Sequence, residues 1–510
     1  MKRAALVHPF LFALASLLYL YARAAVIAPP TQVLRPLALM WLVLAAAAWP
    51  VYRICRGWVL TALWLSIMVA ALFCTPRFAL VLGVLLLLAL ALWGMLGLVR
   101  RSLRKPIYLS ASLSLIAAAL VAFQIALLAP FFADVPDSAY RRFLVEPAET
   151  LRLHPAGAAR DIYYIVLDAY ARADILQDYY QYDNSEFVAD LERLGFAVPP
   201  RSSSNYPKTA LSVASTLNVA YVHDFAQGLS GTPFWWLMSP WIDRSRARSV
   251  LEQAGYKTVA IGTDWDITDN RTASTFLEPF PIALTDFEGL VLGATPVSLV
   301  QPALAPVASL PSYSAHRRYL EFAFQALADA PKIDGPKLIF AHILAPHPPF
   351  VFDHTGGAAE PAYPFSFLDA NDFPGSAEQY RTGYVEQLQH VNRRLGTVID
   401  SILKSSEVDP IIILQADHGP GMYTDFTAAD RTCIRERFGA FGAYYLPGAP
   451  ALVIPSDITP VNIFRIIFNE YFGANLELEP NHHYYYEDTV YIYRLVDVSS
   501  RLNESCLVSR

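Results

Sequence analysis

Two apolar runs in this chain each end in residues that bind metals. Pro410-Ile-Ile-Ile-Leu-Gln-Ala-Asp417-His418-Gly419 closes on Asp-His-Gly, and Asp161-Ile-Tyr-Tyr-Ile-Val-Leu-Asp168 closes on a carboxylate. Each reads as a buried strand that delivers its polar residues at the C-terminal edge of a sheet, where α/β proteins bind ligands. A divalent cation such as zinc takes about four ligands from Asp, Glu, His or Cys. Asp168, Asp417 and His418 supply three, and a metal-bound hydroxyl would supply a fourth. Between the two runs lies a hydroxyl-rich stretch, Ser202-Ser-Ser-Asn-Tyr-Pro-Lys-Thr209. Coordination lowers the pKa of a hydroxyl and makes it a usable nucleophile. The same cation stabilises charge on a transferring phosphoryl or sulfuryl group.

Plainer roles compete for the same residues. An Asp after a strand also suits a helix cap. Thr209 can cap a helix over 210–217, with Ser204, Ser212 and Thr216 as other hydroxyls nearby. A helix N-terminus also holds anions, so capping and catalysis are compatible. In His342-Ile-Leu-Ala-Pro-His347-Pro-Pro-Phe350 the flanking prolines fix His347 in a loop, while His342 sits at a strand end. His482 and His483 suit packing or the surface better than substrate contact. Asp264 suits a turn. Trp235 and Trp236 fit either a core or a path toward a membrane.

The elements that must position these residues follow from periodicity. After residue 160, short apolar runs alternate with helical patterns, the signature of an α/β domain with a largely parallel sheet. Strands are expected over 161–167, 257–261, 337–341 and 410–415. Helices are expected over 185–194, 245–254, 313–328, 376–404 and 459–472. In the fourth, Tyr380, Tyr384, Leu388, Val391, Leu395, Val398 and Ile402 keep one apolar face.

Hydrophobic residues make up 54% of the 510, and the mean hydropathy is +0.32. The excess lies in five runs, 6–22, 36–52, 57–74, 78–99 and 107–132, most of which reach the ~20 residues that span a bilayer. Four spans follow the first and no small-residue cleavage site does, so an uncleaved anchor is expected. Lys2, Arg3, Arg53, Arg56, Arg100, Arg101, Arg104 and Lys105 fall on one side; only Arg23, Arg35 and Arg77 fall on the other. The positive-inside rule puts the N-terminus in the cytoplasm and everything after about residue 135 outside. The organisation expected is a five-helix transmembrane domain (1–135), a linker (136–159) and an exported catalytic domain (160–510). The location expected is the cytoplasmic membrane, with the catalytic domain on the periplasmic or extracellular side. A net charge of -6 and no basic cluster after the spans argue against a nucleic-acid partner. Cys433 and Cys506 lie in the exported part, where oxidation is permitted; spacing leaves a disulfide and two thiols both open.

These motifs resemble the alkaline phosphatase superfamily in its sulfatase-like branch. Membrane-bound lipoteichoic acid synthases, phosphoglycerol transferases and lipid A phosphoethanolamine transferases are the similar families. Ile165-Val-Leu-Asp168 looks like the first-strand metal ligand, and Tyr206-Pro-Lys-Thr209 sits where the family places a threonine nucleophile. His342 to Phe350 matches the paired-histidine segment, and Gln415-Ala-Asp417-His418-Gly419 the second ligand pair. The resemblance implies a divalent metal, zinc or manganese, on Asp168, Thr209, Asp417 and His418. It implies Thr209 and His347 as catalytic groups, with His342 and His347 toward substrate. The substrate implied is a membrane lipid or envelope phosphodiester. Pro420-Gly421-Met422 follows Asp-His-Gly where relatives often carry Glu, and no residues for a second metal follow, so one metal site is expected. No Cys-x-Pro-x-Arg or Ser-x-Pro-x-Arg lies near Thr209, so formylglycine chemistry, and with it sulfatase activity, is not expected. Phosphoryl transfer is favoured over a phosphodiesterase or phosphatase of the same superfamily and over an inactive envelope scaffold.

Overall fold

A computed structural model describes residues 7–73, 106–144, 151–154, 157–296, 301–450, 453–504 and 506. The chain divides into two units. One is Met1–Asp134 with Ile282–Leu310; the other is Val135–Pro281 with Pro311–Arg510.

In the first unit, three helices among the described residues are long and apolar enough to cross a membrane: Val7–Ala24, Pro30–Cys55 and Leu109–Ala133. They fit a membrane anchor. Trp58–Phe73 is also apolar but has 16 residues, short of the ~20 a span needs. The expected span 78–99 lies outside the described residues. Leu42, Val43 and Leu115 are more than three-fifths exposed on these helices, an arrangement that water disfavours and lipid accommodates. Between the second and third runs the chain turns at Arg56, whose φ is 52°.

The second unit is built on a six-stranded sheet in the order β3-β2-β4-β1-β5-β6. Its strands are β1 (Ile162–Leu167), β2 (Lys257–Ile261), β3 (Thr275–Leu277), β4 (Lys337–Ile343), β5 (Ile411–Ala416) and β6 (Gly442–Tyr445). The first five run parallel and β6 is antiparallel to β5. Every residue of β1, β4 and β5 is buried, which is why each reads as a continuous apolar run rather than an alternating one. Tyr163, Ile165 and Leu167 of β1 join one core with Leu320, Phe324 and Leu327 and with Tyr384, Leu388, Val391 and Leu395. Those partners lie on the helices Tyr313–Asp329 and Ala377–Ser405. The opposite face of β1 meets the helix Ile463–Phe472, where Tyr164 and Phe464 pack edge to face at 5.5 Å. The domain is therefore a three-layer α/β sandwich. The 29-residue helix Ala377–Ser405 opens with a capping box between Ser376 and Gln379, which satisfies backbone donors at its first turn.

Candidate active site

Register brings the site together. Leu167 of β1 pairs with Ala416 of β5, so the residues that follow, Asp168 and Asp417, leave the sheet side by side. Val166 pairs with His342 on the other flank. Ala169 then turns at φ 60°, a left-handed conformation that a residue with a Cβ adopts only under constraint. Its amide donates to Asp417 Oδ1 at 3.1 Å, and its carbonyl accepts from Tyr384 Oη at 2.8 Å. Gly419 has no alternative: a Cβ there would lie 2.0 Å from the Glu436 carbonyl oxygen.

Ligand atoms of Asp168, Asp417 and His418 lie within 4.8 Å of one another, and all three residues are buried. His418 Nε2 is 3.3 Å from Asp417 Oδ2 and 3.7 Å from Asp168 Oδ1. His418 Nδ1 donates to the Gly419 carbonyl at 2.9 Å, which leaves Nε2 a lone pair. Asp168 Oδ1, Asp417 Oδ2 and His342 Nε2 are buried without a hydrogen-bond partner. Buried carboxylate oxygens without a partner are costly, and a divalent cation would resolve those of Asp168 and Asp417. The donor set, two carboxylates and an imidazole beside a hydroxyl, suits zinc or manganese. The two carboxyls split. Burial opposes ionisation of Asp168, but His347, His342 and His418 outweigh it and hold its carboxyl below the ordinary range. Burial and then the Asp168 charge push Asp417 up. Burial and then the Arg437 charge hold His418 well below the usual imidazole value.

Thr209 is the first residue of the helix Thr209–Asn218 rather than its cap; Lys208 holds the cap position without a side-chain cap bond. Its hydroxyl instead faces the cluster, with Oγ1 3.2 Å from His418 Nε2. Of the other hydroxyls, Thr216 Oγ1 donates to the Ser212 carbonyl. His342 Nε2 lies 3.3 Å from Asp168 Oδ2, and its Nδ1 is 2.9 Å from Thr268 Oγ1. His347 is partly exposed, 6.4 Å from the His418 ring, with Nε2 3.7 Å from Asp369 Oδ2. Asp264 pairs with the buried His316 at 3.3 Å. His483 packs inside against Ser203 at 2.9 Å, and His482 meets Asp497 at 3.0 Å. Trp236 is core, whereas the Trp235 ring faces Lys208.

Two residues of the pocket, Arg437 and Asp369, lie outside the motifs read from the sequence. Arg437, 1% exposed, donates to Asp369 Oδ2 at 2.9 Å, to the Gly419 carbonyl at 3.1 Å and to the Pro207 carbonyl at 2.8 Å. Its Nη2 is 3.3 Å from His418 Nε2. Asp369 also accepts from Tyr380 Oη at 2.7 Å. Against the cost of burial, His347 and Arg437 hold its carboxyl down at about 2. Gly421 makes room, since a Cβ there would meet the Asp369 carboxylate at 2.6 Å. Lys208 Nζ lies 3.1 Å from the Phe426 ring centroid and 4.9 Å from that of Trp235. Burial and then the Arg437 charge pull its ammonium down to about 7. The pocket thus has a carboxylate–imidazole side of the kind that could hold a cation and, beside it, the positive charges of Lys208 and Arg437.

No curated protein matches this chain. Among solved structures, the C-terminal periplasmic domain of EptC from Escherichia coli is similar at 10% identity and a TM-score of 0.45, covering 69% of this chain and 96% of that one. Lipooligosaccharide phosphoethanolamine transferase A from Neisseria meningitidis, an integral membrane protein, is similar at 14% identity and a TM-score of 0.39, covering 86% and 75%. The family model described as Sulfatase matches residues 160–464, more than half of the chain and every residue of the pocket. The chain therefore belongs to the sulfatase family, within the alkaline phosphatase superfamily that its motifs resemble.

Proposed function

We propose that this protein is a membrane-anchored phosphoryl-group transferase that uses Thr209 as its nucleophile. One observation carries the reading: the Thr209 hydroxyl, at a helix start and not used as a cap, faces His418 at 3.2 Å beside orphaned atoms of Asp168 and Asp417. Asp168, Thr209, Asp417 and His418 are the residues that would hold one zinc or manganese ion. Bound there, the ion would lower the pKa of the Thr209 hydroxyl and offset charge on a phosphoryl group.

Around it the chain's own groups divide the work. Thr209 Oγ1 attacks the phosphorus of a phosphodiester and the bond to the leaving oxygen breaks, which leaves the rest of the diester, still carrying its second ester group, on Thr209. Lys208 holds the phosphoryl oxygens, Arg437 adds its positive charge from behind, and the helix N-terminus at Thr209 adds its positive end. His347, the partly exposed histidine, gives a proton to the leaving oxygen and takes one from the incoming acceptor hydroxyl. His342 steadies Asp168 and lies toward the substrate. Attack by the acceptor then breaks this linkage and restores Thr209. A motif order in which formylglycine cannot form supports phosphoryl over sulfuryl transfer.

The anchor proposed is residues 1–135 with five spans, then a linker over 136–159. Residues 160–510 act on the periplasmic or extracellular side, on a membrane lipid or envelope phosphodiester. The test is mass spectrometry of purified full-length protein after incubation with bis(p-nitrophenyl) phosphate. A Thr209 peptide carrying a p-nitrophenyl phosphoryl group is expected, with release of one p-nitrophenolate, and Thr209→Ala should show none. An adduct at Ser212 or Thr216, or turnover by Thr209→Ala near the native rate, rejects the assignment.

A further inference from the structure

The stretch Ile282–Leu310 belongs to the unit of apolar helices, although it interrupts the unit that holds the catalytic pocket. The chain leaves the catalytic unit after Pro281 and rejoins it at Pro311. The excursion is closed at its base. Ile282 N donates to the Val307 carbonyl at 3.0 Å, Ser309 N donates to the Ile282 carbonyl at 3.1 Å, and Leu284 N donates to Ser309 Oγ at 2.8 Å. Within the loop, Asp286–Gly293 is a helix with a capping box between Thr285 and Glu288.

Its partners all lie at one end of two spans. Phe287, fully buried, packs edge to face on Tyr21 at 5.7 Å, near the end of the span Val7–Ala24. Phe287 N donates to Gln32 Oε1 at 3.3 Å. Arg35, near the start of the span Pro30–Cys55, donates through Nε and Nη2 to the two oxygens of Glu288, and to the Ala283 carbonyl at 2.9 Å. The positive-inside count places this end of the spans on the outer side. Asp286 and Glu288 are the only charged residues in the 29-residue stretch, and Arg35 answers Glu288. Yet Ile282, Leu290 and Val307 are exposed, at 51%, 38% and 43%.

We propose that the described parts of this stretch, 282–296 and 301–310, form a lipid-seated clip, with Ile282, Leu290 and Val307 inserted at the headgroup–acyl boundary of the outer leaflet. The occupant proposed for these exposed apolar residues is the bilayer itself, because Tyr21, Gln32 and Arg35 hold the stretch at the ends of two helices long and apolar enough to cross a membrane. Such boundary insertion is how interfacial segments hold to membranes without crossing them. Arg35 and Glu288 latch the clip to the bundle. The inference rests on these helices spanning a membrane and is independent of the chemistry proposed for Thr209.

The test uses the full chain with Cys55 and Cys74 changed to Ser, reconstituted in phosphatidylethanolamine–phosphatidylglycerol vesicles. Single cysteines at Ile282, Leu290 and Val307 carry an environment-sensitive fluorophore, with Leu120 on a span and Glu407 on the catalytic unit as references. Both reference positions are exposed. Lipids brominated high on the acyl chain should quench positions 282, 290 and 307 several-fold more than 407, and aqueous iodide should do the reverse. Quenching at 120 but not at 290 overturns the clip alone; no lipid quenching at either overturns the membrane reading with it. Protection of 290 from both quenchers means a protein covers the face, and this too overturns the proposal. The latch is read in the same assay. Arg35→Glu and Glu288→Arg should each lower lipid quenching at 290, and the double swap should restore it. Unchanged quenching in both single variants removes the latch from the proposal.

Discussion

The two sides of the pocket are built differently although they meet at His418. The carboxylate–imidazole side stands on strand ends: Asp168 after β1, Asp417 and His418 after β5, and His342 in β4, all fixed by sheet register. The cationic side stands on loops and short turns: Lys208 before a helix, Asp369 in the segment between β4 and the long helix, and Arg437 in the five-residue helix Ile434–Phe438. The first leaves buried acceptors unmatched, while the second answers a buried arginine with a carboxylate and three carbonyl contacts. The difference teaches that the pocket is incomplete toward a cation on one side, whereas its positive side is finished by the protein alone.

Thr209 stands between the sides, and its removal should have the largest effect. Thr209→Ala is expected to lower activity on a phosphodiester by roughly 10³-fold or more, as for loss of a covalent nucleophile. Elemental analysis should still find much of the metal, because three ligands remain. Next comes Asp417→Asn, which should release metal and activity together while the melting temperature without metal changes little; full metal occupancy would show that the carboxylate side is not the cation site. Arg437→Met should break the comparison from the other side. It strands the Asp369 charge, at a cost of about 3–5 kcal/mol for an unpaired buried partner. Asp369→Asn added to it should recover much of that stability in denaturant titration but none of the activity, with metal retained throughout. Lys208→Met should leave stability near native or above it, because an apolar chain suits the Phe426–Trp235 surroundings. Its expected mark is a raised KM, and an unchanged KM would remove Lys208 from phosphoryl binding. The smallest effect is expected for His342→Gln, a reduction in metal affinity of roughly 10-fold through a group that orients a ligand.

The same contrast explains what could be read from the sequence. Strand-end polar residues announce themselves because a continuous apolar run and the polar residue that ends it are adjacent in the chain. The parallel sheet, the long helix after Ser376 and the Asp168–Asp417–His418 cluster were all visible that way. Arg437 was not, because Ile434-Arg-Glu-Arg-Phe438 reads as an exposed helical turn. Only the fold shows that Asp369, distant in sequence, and Tyr380 wall it in. Strands β3 and β6 escaped for want of length, with three and four residues. Thr209, favoured as the nucleophile, could also be read as a cap, and its place one residue inside the helix was beyond what boundary signals resolve. The apolar excursion 282–310 carries no span-length run, so nothing in its hydropathy set it apart from the domain around it.

The bond between Cys433 and Cys506, whose Cα atoms are 5.4 Å apart, gives the arginine turn a dependence on its surroundings. Cys433 caps that turn, its sulfur accepting the Glu436 amide at 3.4 Å, and Arg437 follows directly. Closing a loop across 73 residues restricts the unfolded chain by on the order of 4 kcal/mol in the chain-entropy account. Such bonds persist only where thiols are oxidised. With that bond reduced, Arg437 would sit on an unclasped turn, so the redox state of the surroundings also decides whether this corner of the pocket is fastened.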